Sequence, residues 1–97
     1  MPQAISQFID MLAFERGLSE KTRSAYESDL TQFARFLVRC GGPHAAGPSF
    51  RDATADQILG FQEEGRQAGL AESTLARRLV AVKVFFAHLR AEGLVPL

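Results

Sequence analysis

The sequence predicts an all-α fold, a compact four-helix bundle that occupies residues 1–97 as one domain. Apolar residues recur at intervals of three and four in four segments, which is the spacing of helices with one buried face. Glycine and proline separate these segments, and no stretch alternates apolar and polar residues for long enough to form a strand. The 97 residues are 46% hydrophobic and include eight Phe, so the chain has enough apolar surface for one core.

The first predicted helix runs from about Gln3 to Arg16. Gly17 follows in a position where glycine commonly ends a helix. The apolar stripe of this helix consists of Ile5, Phe8, Ile9 and Leu12. Two further apolar residues, Met11 and Phe14, lie off that stripe.

The second predicted helix begins after Leu18. Ser19 is a good N-cap, and Glu20 supplies the negative charge that the first turn of a helix favours. Its stripe repeats at 4-3-4 spacing and consists of Tyr26, Leu30, Phe33 and Leu37. Gly41-Gly42-Pro43 ends the helix, and residues 41–53, with three Gly and two Pro, are predicted to form the most mobile loop.

The third predicted helix starts at Thr54, which is spaced to form a capping box with Gln57. Two glycines interrupt the segment, Gly60 and Gly65, and each weakens the helix by about 1 kcal/mol relative to Ala. A helix can approach closely where a side chain is missing, so Gly60 is predicted to admit close packing.

The fourth predicted helix runs from about Glu72 to Glu92, and Gly93 ends it. Its narrow apolar arc consists of Leu75, Leu79, Val82, Phe86 and Leu89. Val80 and Val84 point the opposite way. A helix that is apolar on both sides is usually central, so this helix is predicted to be covered on two faces.

Composition excludes several classes of protein. Cys40 is the only cysteine, which excludes an internal disulfide and a Cys-based zinc cluster and fits a reduced, cytoplasmic setting. The N-terminus lacks the pattern of a signal peptide, and no apolar run approaches the ~18 residues of a membrane span. The formal net charge is zero, so any case for nucleic-acid binding depends on how the charges are distributed.

No residue set resembles an active site, a metal site or a cofactor site. The two histidines, His44 and His88, have no Cys, His or Asp at ligand spacing. The acids of the third helix are predicted to form a solvated face rather than paired catalytic carboxylates. Tyr26 is the only tyrosine, and its place on the apolar stripe favours core packing. A small helical enzyme is therefore the interpretation with the least support.

Hydroxyl and basic side chains gather near two predicted helix starts. The second helix carries Ser19, Lys21, Thr22 and Arg23, and the fourth carries Ser73, Thr74, Arg77 and Arg78, with Lys83 further on. Residues 73–90 include four basic residues and no acidic ones, so charge is segregated although the total is zero. Basic groups, hydroxyls and unpaired amides at a helix start are a phosphate-binding combination. Spacing alone leaves a second interpretation open, in which these side chains only solubilise helix surfaces.

Three blocks of sequence, in order and at the right spacing, resemble the Xer-type tyrosine recombinase and phage-integrase family. The first is LSEKTRSAY at residues 18–26, followed by Asp29-Leu30, Phe33 and Phe36-Leu37. The second is the start of the third helix, TADQI at residues 54–58, with Phe61. The third runs from Gly69-Leu70 through STL, RRL, AVK and FF to Leu89 and closes with Glu92-Gly93-Leu94. The resemblance covers nearly the whole chain.

The resemblance implies the core-binding domain of that family, a SAM-like four-helix bundle. In relatives this domain closes over one face of the recombination site, and its second and fourth helices approach the major groove and flanking phosphates. Double-stranded DNA is thus the implied partner. The implied contacts are the nine residues Ser19, Lys21, Thr22, Arg23, Ser73, Thr74, Arg77, Arg78 and Lys83.

The resemblance also implies what the chain does not carry. The family's catalytic domain, with its Arg, Lys and His residues and its tyrosine nucleophile, follows this domain, so the chain is expected to be a non-catalytic fragment. The first helix of relatives can touch a neighbouring recombinase protomer, which would give Met11 and Phe14 a use. The isolated domain is expected to be a monomer or a weak dimer.

The chain departs from the family at the start of the fourth helix. Ala71 stands where relatives often have a Ser N-cap, so the start of the fourth helix is less well defined. A helical protein-interaction module without DNA contact is the alternative function, with self-association through Met11 and Phe14. Core-binding domains of this family serve both chromosome-dimer resolution and integration of mobile DNA with the same residue types, so the resemblance implies either role.

Overall fold

The computed structural model describes residues 2–40, Phe50 and residues 53–95. These ranges form four helices and no strand: α1 (Pro2–Glu15), α2 (Glu20–Cys40), α3 (Ala55–Gln67) and α4 (Glu72–Ala91). The predicted all-α class is confirmed. Within the described part of the chain, none of the helices combines the length and apolarity needed to cross a membrane. Most of the predicted 41–53 loop lies outside the described residues.

The helix boundaries follow from local capping chemistry. The side chain of Thr54 accepts a hydrogen bond from the Gln57 amide at 3.2 Å, and the Gln57 side chain accepts one from the Thr54 amide at 2.9 Å, so the predicted capping box is confirmed. Ala71 precedes α4 without any side-chain cap. Gly17 and Gly93 follow α1 and α4 with φ of 60° and 71°, a left-handed conformation that glycine adopts at little cost.

Phenylalanine rings fill the centre of the bundle. Phe8 of α1, Phe33 of α2 and Phe85 of α4 are fully buried, and Phe61 of α3 packs on Phe33 with ring centroids 5.2 Å apart. Phe50, from the segment between α2 and α3, is also buried, and its ring meets that of Phe85 edge-to-face at 4.8 Å. Every helix therefore contributes to one core, together with one residue of the connection.

The buried face of α4 differs from the predicted arc. It consists of Leu75, Arg78, Ala81, Val82, Phe85 and Leu89. Two residues of the predicted arc, Leu79 and Phe86, are only half-buried. Phe85 is fully buried and packs on Phe8, and its ring lies nearer to that of Phe50 than the Phe86 ring does, at 4.8 Å against 6.0 Å between centroids. On the opposite side of α4, Val80 is 46% exposed whereas Val84 is half-buried and packs against the core, so the predicted second covered face is present only in part.

Two glycines bring α3 close to its neighbours. A Cβ at Gly60 would lie 3.2 Å from Cζ of Phe36, as expected for the predicted close packing. A Cβ at Gly65 would lie 2.9 Å from Cδ2 of Leu75 and 3.3 Å from Nη1 of Arg78. The C-terminal part of α3 therefore closes directly over the first turns of α4, where the predicted basic residues lie.

Candidate nucleic-acid interface

The start of α2 presents a capped turn with one exposed cation. The side chain of Ser19 accepts a hydrogen bond from the Thr22 amide at 3.2 Å, which confirms Ser19 as the N-cap. Its hydroxyl donates to the Thr22 hydroxyl at 3.0 Å. Lys21 is exposed, whereas Arg23 is half-buried and its Nε has no hydrogen-bond partner among the described residues. In the described part of the chain, this turn therefore presents the exposed Lys21 ammonium group beside a pair of mutually hydrogen-bonded hydroxyls.

The start of α4 is polar but less strongly capped. Ser73 is exposed and Thr74 is half-buried in the first turn. Glu72 precedes them and is exposed, with its carboxylate 3.9 Å from Nε of Arg66 on α3. Because Ala71 has no side-chain oxygen, the first amides of α4 are not engaged by an N-cap side chain.

Arg77 is held by a buried carboxylate of α2. Its Nε donates to Oδ2 of Asp29 at 2.8 Å and its Nη2 donates to Oδ1 at 2.9 Å, a bidentate pair. The Asp29 side chain is 1% exposed, while that of Arg77 is 41% exposed. The hydrogen bonds to Asp29 raise the pKa of the Arg77 guanidinium, so Arg77 stays charged at any physiological pH.

Arg78, the next residue, turns into the protein. Its side chain is only 8% exposed and its Nη2 donates to the side-chain carbonyl of Gln32. The guanidinium carbon lies 4.6 Å from the centre of the Phe61 ring, within the range of a cation–π contact. Arg78 therefore links α2, α3 and α4 inside the protein, and its burial removes it from the predicted phosphate contacts.

Lys83 is separated from the other predicted residues. It lies six residues beyond Arg77, which rotates it by about 120° around α4. It lines a groove between α1 and α4 with Met11, Glu15 and His88. The structure therefore does not bring Lys83 together with Arg77 at one site.

Sequence reasoning missed Asp29 as a functional group, although a signal was present. Asp29 falls in register with the apolar stripe of α2, between Tyr26 and Phe33. A carboxylate on a buried face must find a cation or hydrogen-bond donors, because burial of an unpaired charge is costly. That position therefore predicts a basic partner on another helix, and Arg77 is that partner.

The described part of the chain holds no group of three or more His, Cys, Asp and Glu side chains placed to bind a metal ion. His88 packs against the ring of Phe8, with ring centroids 5.4 Å apart.

Phe14 at the end of α1 is 90% exposed, whereas Met11 is half-buried in the groove beside α4. Of the two residues that lie off the α1 stripe, only Phe14 is fully presented to solvent.

Residues 5–93 match the family described as phage integrase, N-terminal SAM-like domain, and the chain belongs to this family. Among curated relatives, tyrosine recombinase XerC of Roseiflexus castenholzii is 40% identical over 96 residues, which cover 98% of this chain and 29% of the relative. Tyrosine recombinase XerD of Chlamydia pneumoniae is 35% identical over 92 residues, which cover 95% of this chain and 28% of the relative.

These similarities confirm the family resemblance of the three sequence blocks. The chain spans less than a third of the length of these relatives. No solved structure matches the chain significantly.

Proposed function

We propose that this chain is the DNA-clamping N-terminal domain of a site-specific tyrosine recombinase, and that it binds duplex DNA through the starts of α2 and α4. Strand exchange would belong to the catalytic domain of the parent protein. The observation that carries the proposal is an Arg77 side chain that is 41% exposed while Asp29 holds its guanidinium, in a chain of the integrase family.

The proposed surface combines charge with neutral donors. Its cations are Lys21, Arg77 and the partly accessible Arg23. Its hydroxyls are those of Ser19, Thr22, Ser73 and Thr74. Cations neutralise phosphates and release counterions, while hydroxyls and helix-start amides fix the register of the protein on the backbone. The Asp29–Arg77 pair joins the N-terminal half of α2 to the N-terminal half of α4. This contact supports a single surface to which the starts of both helices contribute.

The charge balance predicts weak, salt-dependent binding. The net charge is zero and only a few phosphates are contacted, so we expect a Kd of the order of 10⁻⁴–10⁻⁶ M at moderate salt, as for non-specific binding. The second half of the clamp would raise the affinity in the parent protein.

A salt titration tests the proposal. Fluorescence anisotropy of a labelled duplex is measured with the 97-residue chain, with Lys21→Ala and with Arg90→Ala, between about 25 and 200 mM salt. Lys21→Ala should weaken binding and reduce the slope of log K against log salt by about 0.9, the value for one lost phosphate contact. Arg90→Ala removes an equal charge near the C-terminal end of α4 and should leave the slope unchanged. Equal effects of the two variants would contradict the proposed surface.

Phe14 supports a second candidate function. Aromatic residues are enriched in protein interfaces, and Phe14 is 90% exposed at the end of α1, so in the parent it would be available to a neighbouring recombinase protomer. Sedimentation of the chain and of Phe14→Ser over a range of concentrations tests this. Concentration-dependent association that is lost in Phe14→Ser, without any DNA binding by the chain, would favour an interaction module over a DNA clamp.

A further inference from the structure

The Asp29 carboxylate lies at the junction of α2 and α4, and two arginines approach it. Arg77 makes the bidentate pair at 2.8 and 2.9 Å, and Nε of Arg78 lies 3.8 Å from Oδ1, beyond hydrogen-bond distance. Arg78 is instead occupied by Gln32 and by the face of Phe61. Asp29 is therefore committed to Arg77.

Packing alone does not explain a carboxylate at this position. An apolar residue of similar volume commonly stabilises a buried site as well as an ion pair does, because charges lose hydration when they are buried. The pair here is also asymmetric. Asp29 is 1% exposed, whereas the Arg77 side chain is 41% exposed. One partner is thus fixed in the interior and the other reaches the surface.

Among the residues that the structure describes, Asp29 is the hydrogen-bond partner of the Arg77 guanidinium, and it occupies a single edge of that group. A guanidinium has five N–H donors in a planar fork. Asp29 takes one from Nε and one from Nη2, and these lie on the same edge. The two donors of Nη1 and the second donor of Nη2 lie on the remaining edges. Phosphate oxygens accept this kind of paired donor well.

We propose that Asp29 is a positioning residue, which holds Arg77 so that the guanidinium edge away from Asp29 meets a DNA phosphate. The inference rests on the proposed function, because it assigns the orientation of a DNA contact. An arginine on an exposed helix surface loses rotamer freedom when it binds, and a carboxylate that has already fixed the side chain removes much of that loss.

The charge of Asp29 makes the direction of the expected change in DNA affinity distinctive. A negative charge close to the proposed DNA surface repels phosphate, so its removal would tighten binding if charge alone mattered. If Asp29 positions Arg77, its removal weakens binding although the protein becomes more positive. Glu27→Gln is the matched control, because Glu27 is an exposed carboxylate on the same helix and the variant makes the same change in charge.

The test compares the 97-residue chain with Asp29→Asn, Glu27→Gln and Arg77→Lys in duplex binding at fixed low salt. Glu27→Gln should bind as tightly as the unmodified chain or more tightly. Asp29→Asn should bind about three- to tenfold more weakly, the loss expected when one long side chain must be ordered on binding. Arg77→Lys should weaken binding similarly, because a lysine keeps the charge but cannot make the bidentate pair.

Arg77→Lys keeps the proposal falsifiable if Asp29→Asn does not fold, since it leaves a cation beside Asp29. NMR supplies a readout that a purely structural role would not move. DNA should shift the Nη signals of Arg77 in the unmodified chain, and in Asp29→Asn that shift should be lost while the Lys21 amide still responds.

Three results would overturn the proposal. Asp29→Asn could bind duplex DNA as tightly as Glu27→Gln, or Arg77→Lys could bind as tightly as the unmodified chain. The third result is that the unmodified chain binds no duplex DNA. The third result would overturn the proposed function as well. The first two, obtained while Lys21→Ala still weakens binding, would remove only the role of Asp29.

Discussion

Phe50 is expected to anchor the connection between α2 and α3 in the core, and truncation to Ala measures that anchor. The side chain is 5% exposed, and its ring centroid lies 4.8, 6.0 and 6.4 Å from those of Phe85, Phe86 and Phe33. Removal of a buried Phe side chain costs about 3–5 kcal/mol, which includes the lost edge-to-face contacts. A domain of this size has a total stability of about 5–15 kcal/mol, so Phe50→Ala should lose a large part of it.

Urea denaturation followed by circular dichroism is the appropriate assay. With an m value of about 2 kcal/mol per molar urea, the midpoint of Phe50→Ala should fall by about 1.5–2.5 M. Phe14→Ala makes the same chemical change at a residue that is 90% exposed, and its effect should stay within about 0.5 kcal/mol. A Phe50→Ala variant with the same midpoint as Phe14→Ala would refute the assignment of Phe50 to the core.

Three further predictions concern the contacts between helices and the caps. Arg78→Met should retain more stability in urea than Arg78→Ala, because a long apolar side chain still covers Phe61 whereas Ala leaves a cavity. Thr54→Ala should cost about 1 kcal/mol, measured by thermal unfolding, because the capping box of α3 is lost. Hydrogen bonds from Arg39 lower the pKa of Glu64 in the folded protein. The ionised carboxylate therefore stabilises the fold at pH values above its ordinary pKa, and this contribution is lost as pH falls through the lowered pKa of the folded state. Glu64→Gln should make the free energy of unfolding less dependent on pH in the acid range, which urea denaturation at several pH values would measure.

Local chemistry in the sequence predicted most helix boundaries. Ser19 and the pair of Thr54 with Gln57 cap α2 and α3 as their residue types indicate, and Gly17 and Gly93 follow α1 and α4. These features depend on interactions within a few residues, which spacing alone can identify. The family and the all-α class were predictable for the same reason, since they follow from the order of such local blocks.

The choice of which aromatic rings are buried depends on contacts between residues that are distant in the sequence, and the spacing of apolar residues did not predict it. Phe85 and Phe86 are adjacent and both fit a helical stripe. Phe85 is the fully buried ring, and it packs on Phe8 of α1, a residue far from it in the sequence. Burial of Phe50 itself depends on a connection without helical periodicity. Such choices are made by tertiary packing, which overrides the local pattern.

The same limit explains the difference between Arg77 and Arg78. Both were predicted to contact phosphate because both follow the polar start of α4. Adjacent residues on a helix point about 100° apart, so one guanidinium can face the interior while the other faces solvent. The acid that fixes Arg77 and the amide that accepts from Arg78 lie nearly fifty residues earlier, on α2.

An NMR titration of the isotope-labelled 97-residue chain with duplex DNA tests the central claim most directly, because it reports each backbone amide separately. We predict shift changes concentrated at residues 19–23 and 73–77, which fade as salt is raised. The absence of shift changes, or changes confined to α3 and the neighbourhood of Phe14, would contradict the assignment of the starts of α2 and α4 as a DNA-binding surface.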